Sequence, residues 1–116
     1  MTIVLSAFDI NDLVRIGNHT GTNENGDARA AFKDPAGVAT DPSAVTVRLR
    51  KPSGDVLVYG WPSAGADGTL VKEATGKFYI DVLIDESGTW YWQLTGTGTV
   101  QTSEAGEFWV RPSLFE

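Results

Sequence analysis

Apolar and polar residues alternate along several short stretches of this chain. Between residues 44 and 50, three aliphatic side chains at odd positions alternate with a threonine and two arginines. Because successive side chains of a β-strand point to opposite faces, this spacing predicts a strand with one buried face and one exposed face. Residues 77–84 repeat the pattern, with Phe78 and Ile80 on the apolar face, and residues 106–110 repeat it around Phe108. The three segments are therefore predicted to face one core.

The largest apolar side chains are concentrated in residues 85–94, where a turn signal leads into Trp90-Tyr91-Trp92. Trp90 and Trp92 share one face of the predicted strand, whereas Tyr91 points to the other. The alternating segments supply facing partners for both indoles, so we predict that their first role is in the core. The predicted core residues are Trp90, Trp92, Val47, Phe78, Ile80 and Phe108.

Glycine and proline divide the chain into short segments. The 13 glycines and 5 prolines punctuate it at short intervals, and no window places apolar residues at helical spacing. This pattern predicts an all-β fold, a sandwich or a barrel of about seven or eight short strands, in a single domain over residues 1–116. An inserted loop or hairpin is predicted at 17–27 and a short C-terminal tail at 112–116. We also predict strands at 28–32 and 70–73, a turn at 96–98 and a last strand at 106–110.

Composition narrows the possible partners. The chain has no cysteine, which excludes a disulfide framework and a thiolate metal site. Its net charge of −6 argues against nucleic acid or an anionic membrane as the main partner. Residues 1–8 are apolar but lack a basic n-region and are followed by Asp9, so they predict a first strand instead of a signal peptide or a spanning helix. We therefore expect a protein made and used without Sec export.

The turn and strand signals together resemble a known family. They lie in segments 11–15, 34–37, 41–42, 45–48, 51–54, 76–79 and 85–90. In chain order, they are similar to those of immunoglobulin-like β-sandwich domains, in particular the small single-domain ones among virion proteins of tailed bacteriophages, and this resemblance implies an antiparallel sandwich of about seven or eight strands. The turn at 85–90 resembles the corner that opens the sixth strand of such domains, where a tyrosine hydroxyl bonds back to the backbone. Trp90 stands at the tyrosine position, so its indole N–H must find another acceptor.

The resemblance implies a non-catalytic structural protein of a phage particle. Such a protein would bind the capsid surface or the head–tail junction through its sheet faces and loops. Its implied partners are other virion proteins, namely major capsid, portal or neck proteins, contacted in many copies. Its implied location is the virion, after synthesis in the cytoplasm of the host bacterium. Neither nucleic acid nor a membrane is expected as a partner.

Three sets of residues are candidates for partner binding. Outward aromatics would form a patch if they lay on neighbouring strands of one sheet, and a basic strip could involve β-strand arginines together with Lys51 and Arg15. The alternatives are that the aromatics are covered by other parts of the chain and that the basic residues are simply solvated. Outward aromatics could also serve as stacking platforms in a carbohydrate- or cell-surface-binding module. The candidates are Tyr79, Tyr91 and Trp109, then Arg48 and Arg50, and finally Leu114 and Phe115 in the tail.

Signals of catalysis or metal binding are weak in this sequence. The single histidine, His19, lies in a polar segment without a serine–acid pair at a recognisable spacing. Asn23, Asn25 and Asp27 have the oxygen spacing of a calcium loop, but the bidentate acid that such loops need does not follow. We therefore predict neither an enzyme nor a bound cofactor.

Overall fold

The computed structural model describes residues 7–18 and 31–112, and this part of the chain contains β-strands but no helix. The prediction of an all-β fold is confirmed. No helix there is long and apolar enough to cross a membrane. The described strands are β1 (Ala7–Asp9), β2 (Leu13–Gly17), β3 (Ala44–Arg50), β4 (Val56–Trp61), β5 (Gly68–Thr69), β6 (Val71–Ala74), β7 (Lys77–Leu83), β8 (Gly88–Thr97) and β9 (Thr102–Arg111).

The strands form two sheets that share one hydrophobic core. The larger sheet has the order β1-β9-β8-β3-β4-β5, and the smaller one has the order β2-β7-β6. Most neighbouring strands are antiparallel, but β1 pairs with β9, and β4 with β5, in parallel. The prediction of a wholly antiparallel arrangement is therefore wrong at these two edges. Both parallel strands lie where the chain leaves the larger sheet for the smaller one.

Two short connections in the described part of the chain lead from the larger sheet to the smaller one. After β1, Asn11 adopts a left-handed conformation with φ of 73°, and the Asp12 side chain accepts a hydrogen bond from the Asp9 N–H at 2.9 Å. After β5, the buried Leu70 donates its N–H to the Gly60 carbonyl at 2.8 Å, and β6 then joins the smaller sheet. The strand predicted at 70–73 is thus wrong in its start, because Leu70 lies at the crossing between the sheets.

The core is built from the inward faces of both sheets. Val45, Val47 and Leu49 of β3 are at most 1% exposed, as their alternation predicts. Across the core, Phe78 of β7 contacts the Trp61 ring of β4, with 4.7 Å between the ring centroids. The fully or almost fully buried apolar side chains also include Ile84, Trp90, Leu94, Phe108 and Val110. Ile80 and Trp92, two of the predicted core residues, are half-buried and pack against this cluster.

Phe32 closes one end of the core without belonging to a strand. Its side chain is buried, its ring centroid lies 6.1 Å from that of Phe78, and its N–H bonds the Gly76 carbonyl at 2.9 Å. The predicted strand at 28–32 is wrong at residues 31 and 32, and its other residues lie outside the described part of the chain.

The predicted loop at 17–27 is wrong at Gly17, which ends β2. The next residue, Asn18, is buried, and its Oδ1 accepts a hydrogen bond from the Phe78 N–H at 2.9 Å.

The turn that opens β8 is locked by Trp90. Its indole Nε1–H donates to the Glu86 carbonyl oxygen at 2.9 Å, and its ring stacks on Phe108 with centroids 5.9 Å apart. The acceptor that the sequence required thus lies four residues upstream. The Glu86 carboxylate also accepts hydrogen bonds from the Ser53 N–H and hydroxyl at 3.0 and 3.1 Å. These contacts join the corner to the β3–β4 turn.

Strands β8 and β9 are longer than the sequence predicts. Gly96 and Thr97 belong to β8, and β9 begins at Thr102, so the turn lies at 98–101 instead of the predicted 96–98 and contains Gly98 with φ of 89°. Gly106 lies inside β9, opposite Trp92.

Candidate interaction surface

The outer side of the larger sheet combines arginines with exposed aromatic rings. Side chains on this side alternate with the buried ones of β3, β4, β8 and β9, so the pleat fixes their direction. Tyr91 is 50% exposed and Trp109 is 44% exposed. We call this surface the cationic–aromatic face and define it as Arg48, Arg50, Tyr91 and Trp109 with their neighbours Val56, Val58, Gln93 and Glu107.

The strand register sets the neighbours of the two arginines. Arg50 pairs with Val56 of β4 on one side and with Tyr91 of β8 on the other. Arg48 pairs with Val58 and Gln93 in the next row. Adjacent strands lie about 4.8 Å apart, and residues two apart along a strand are separated by about 6.8 Å. Val56 and Val58 of β4 therefore flank the two arginines on one side, and Tyr91 and Gln93 of β8 flank them on the other. We call Arg48 and Arg50 the arginine ladder.

Neither arginine is neutralised within the described part of the chain. Arg15 is paired with Asp81 and Arg111 with Asp9, whereas Arg48 and Arg50 form no ion pair with a described residue. Both are exposed. The chain carries six more acidic than basic residues, 15 against 9, yet no carboxylate of residues 7–18 or 31–112 pairs with either arginine. Two free guanidinium groups thus lie near the middle of a broad sheet surface.

Lys51, at the end of the arginine ladder, is engaged inside the fold. Its Nζ lies 3.0 Å from Asp85 Oδ1 and 3.7 Å from Glu86 Oε2. The hydrogen bond to Asp85 raises the pKa of Lys51 against the opposing effect of partial burial, and the charges of Asp85 and Glu86 add to the rise. Its charge is therefore used to hold the β8 corner, and the free positive charge of this face is that of Arg48 and Arg50.

Two shallow grooves meet on the cationic–aromatic face. One, of about 390 Å³, extends from Arg50 and Tyr91 towards Pro52 and Thr89. The other, of about 380 Å³, extends from the same two residues towards Arg48 and Val56. Arg50 and Tyr91 line both grooves, so the two grooves adjoin at these residues.

Tyr79 and Arg15 lie on the opposite side of the molecule. Tyr79 belongs to β7 of the smaller sheet, so it does not share a patch with Tyr91 and Trp109. The Arg15 guanidinium lies 3.9 Å from the Tyr79 ring centroid and bonds Asp81 at 2.8 and 3.1 Å. The Asp81 hydrogen bond raises the pKa of Arg15 above its ordinary value. Arg15 therefore does not extend the basic strip of Arg48 and Arg50.

Sequence reasoning named some residues of this surface and missed others. Tyr91 and Trp109 lie on the neighbouring strands β8 and β9. Tyr91 pairs with Glu107, and Trp109, two residues further along β9, pairs with Thr89. Val56 was missed because residues 56–61 are nearly all apolar, and their pattern does not separate an inner from an outer face. The remaining candidates, Leu114 and Phe115 of the tail, His19 and the segment 23–27, lie outside the described residues.

Comparison of the chain with family models, with curated proteins and with solved structures found no match. Within residues 7–18 and 31–112, no three or more His, Cys, Asp or Glu side chains are grouped so that they could hold a metal ion. The cationic–aromatic face is therefore the best-defined candidate site in the described part of the molecule.

Proposed function

We propose that this chain is an immunoglobulin-like β-sandwich that acts as a non-catalytic structural protein of a phage particle. It binds the capsid surface or the head–tail junction, and the cationic–aromatic face is its main contact. The chain is made in the cytoplasm of the host bacterium and is incorporated into the virion in many copies. Its partners are major capsid, portal or neck proteins.

The order of the strands supports the immunoglobulin-like assignment. Variable-type immunoglobulin domains pair strands B, E and D in one sheet and extend the G-F-C sheet by C′ and C″. The smaller sheet here has the order β2-β7-β6, and the larger one contains β9-β8-β3-β4-β5. With β2 taken as B and β9 as G, the two orders correspond. The indole bond from Trp90 to the Glu86 carbonyl takes the place of the tyrosine-corner bond at the start of β8, which corresponds to strand F of this scheme.

The observation that carries the functional proposal is the pair of free guanidinium groups on an open sheet face. Arg48 and Arg50 have no ion-pair partner among the described residues, and they are flanked by exposed Tyr91 and Val56. Exposed aromatic and arginine side chains are the types that dominate protein–protein contacts. A shallow surface of this kind fits binding by complementarity, and a repeating particle supplies many equivalent places for it.

Mass spectrometry of purified particles of the phage that encodes this chain tests the proposal. We expect the chain at a fixed ratio to the major capsid protein or to the portal, and retained through gradient purification. Its absence from the purified particles would overturn the proposed role.

A second candidate is a carbohydrate- or cell-surface-binding module. It is favoured by the exposure of Tyr91 and Trp109 on adjacent strands, since aromatic rings provide stacking surfaces. A glycan array compares the two proposals directly. Binding that is lost in Trp109→Ala supports this second candidate, whereas an array without hits rules it out and leaves the structural role.

A further inference from the structure

Building on the proposed particle-binding role, we infer that the cationic–aromatic face binds an extended acidic segment of a partner protein. Two carboxylates of that segment, two residues apart, pair with Arg48 and Arg50. The segment lies along β3, in the depression between Tyr91 of β8 and Val56 of β4.

The charges of the face favour an acidic partner. Two like charges two residues apart on one strand repel each other, and no carboxylate of the described residues is close enough to neutralise either one. Because both arginines are exposed, solvent screens this repulsion and keeps it small, so an acidic partner is favoured mainly by the new bonds that it makes. A partner that brings two carboxylates gains charge-assisted bonds at both guanidinium groups.

The spacing of the arginines favours an extended segment. Side chains at positions i and i+2 of an extended chain point the same way and are separated by about 6.8 Å, the same separation as Arg48 and Arg50 along β3. Each planar guanidinium can bond one carboxylate through two parallel N–H groups. An extended segment that lies on the outer face of the sheet, over β3, can therefore bind both arginines without a bend.

The residues around the ladder limit the position of the segment. Tyr91 and Val56 provide apolar contact on either side of Arg50, and both line the groove that also contains Arg48. Glu107 pairs with Tyr91 on the far side from Arg50 and repels carboxylates there. An acidic segment is therefore directed along β3 and not across the sheet towards β9.

A nucleic acid fits this surface less well than a peptide does. Duplex DNA carries about one negative charge per 1.7 Å of helix axis, and proteins that bind it neutralise several phosphates. Among the described residues, Arg48 and Arg50 supply two guanidinium groups without an ion pair to this face, Glu107 lies next to Tyr91 on it, and the whole chain has a net charge of −6. The surrounding valine and tyrosine side chains also suit a protein segment that carries apolar residues.

A titration of the ¹⁵N-labelled full chain followed by NMR tests the inference. The probe is the peptide acetyl-Ser-Glu-Thr-Glu-Thr-Leu-Ser-amide, and the matched probe replaces both glutamates by glutamine. We expect saturable shifts of the backbone amides of Arg48, Arg50 and Tyr91 with the glutamate peptide, and binding about tenfold weaker with the glutamine peptide, since two exposed ion pairs are lost. Equal binding of both peptides, or no binding of the glutamate peptide, would overturn the inference. Preferential binding of an oligothymidylate would overturn it as well.

Paired variants show whether the site is the one inferred. Arg48→Gln/Arg50→Gln should weaken binding of the glutamate peptide by about tenfold, because both ion pairs are removed. Arg15→Gln/Lys33→Gln changes the net charge equally but leaves the larger sheet untouched, so it should bind like the unaltered chain. Equal losses in both double variants would show only a general charge effect and would refute the site. The spectrum of each free variant verifies that the fold is retained.

The same variants separate this inference from the proposed function. If purified particles retain Arg48→Gln/Arg50→Gln at the unaltered copy number and the peptide titration is also unchanged, the chain is a particle protein but the acidic-segment site is wrong. If the glutamate peptide binds as expected and no particle contains the chain, the site stands and the proposed function fails.

Discussion

Replacement of Trp90 by alanine should remove a large share of the stability of the fold. The side chain is 0% exposed, and its ring stacks on Phe108 at 5.9 Å. Truncation of a buried tryptophan costs about 3–5 kcal/mol, and this range includes about 1 kcal/mol for the lost bond to the Glu86 carbonyl. Domains of this size are stabilised by about 5–15 kcal/mol in total, so Trp90→Ala should bring the protein close to unfolding.

The contribution of the hydrogen bond can be separated from that of packing. Trp90→Phe keeps an aromatic ring but lacks the N–H donor, and it should cost about 2 kcal/mol. Trp92→Ala is the matched control, since this indole lies on the same strand and face but is only half-buried, and its loss should cost less than that of Trp90. Urea unfolding followed by far-UV circular dichroism measures all three without relying on tryptophan fluorescence. A cost below about 1 kcal/mol for Trp90→Ala would refute the role assigned to the corner.

Two further stability predictions concern a glycine and a carboxylate. Gly17 has φ of 140°, and a Cβ there would collide with the Phe78 carbonyl oxygen, so Gly17→Ala should lower the free energy of unfolding by more than about 1 kcal/mol. Gly37 also has a positive φ but open space around it, so Gly37→Ala should cost less, and equal losses in urea unfolding would contradict the collision. Partial burial raises the pKa of Asp41, but hydrogen bonds from Lys72 and a backbone N–H outweigh it, so the pKa lies below its ordinary value of 3.8. The unfolded state then binds the proton more readily, so the stabilisation is present above pH 3.8 and lost as the pH falls towards the lower folded pKa. Asp41→Asn should therefore lower the urea midpoint at pH 7 and flatten its decline in acid, and an unchanged acid decline would contradict this assignment.

Local alternation was enough to predict which side chains of a strand face the core. In β3, the period of two places Val45 and Leu49 inside and the two arginines outside, as the structure shows. The Trp90 corner could also be anticipated, because a turn signal and a large aromatic residue lie at a fixed spacing and the indole N–H needs an acceptor. Both signals depend on residues that are close together in the sequence.

Membership of a sheet could not be predicted in the same way. Tyr79 and Tyr91 both point outwards from strands that look alike in sequence, yet they lie on different sheets, because that choice depends on where the chain crosses the core. Leu70 shows the same limit, since an apolar residue at the start of a β-rich run lies in fact at a crossing. Single residues of the candidate surface, such as Tyr91 and Trp109, could therefore be predicted, whereas their arrangement required the strand order.

A cryo-EM reconstruction of the purified phage particle tests the central claim most directly. We predict density for a two-sheet sandwich at each copy, with Arg48, Arg50 and Tyr91 buried against an acidic segment of a neighbouring virion protein. A particle that lacks the chain would contradict the proposed function. A particle in which the outer side of the larger sheet faces solvent would contradict the role of the cationic–aromatic face.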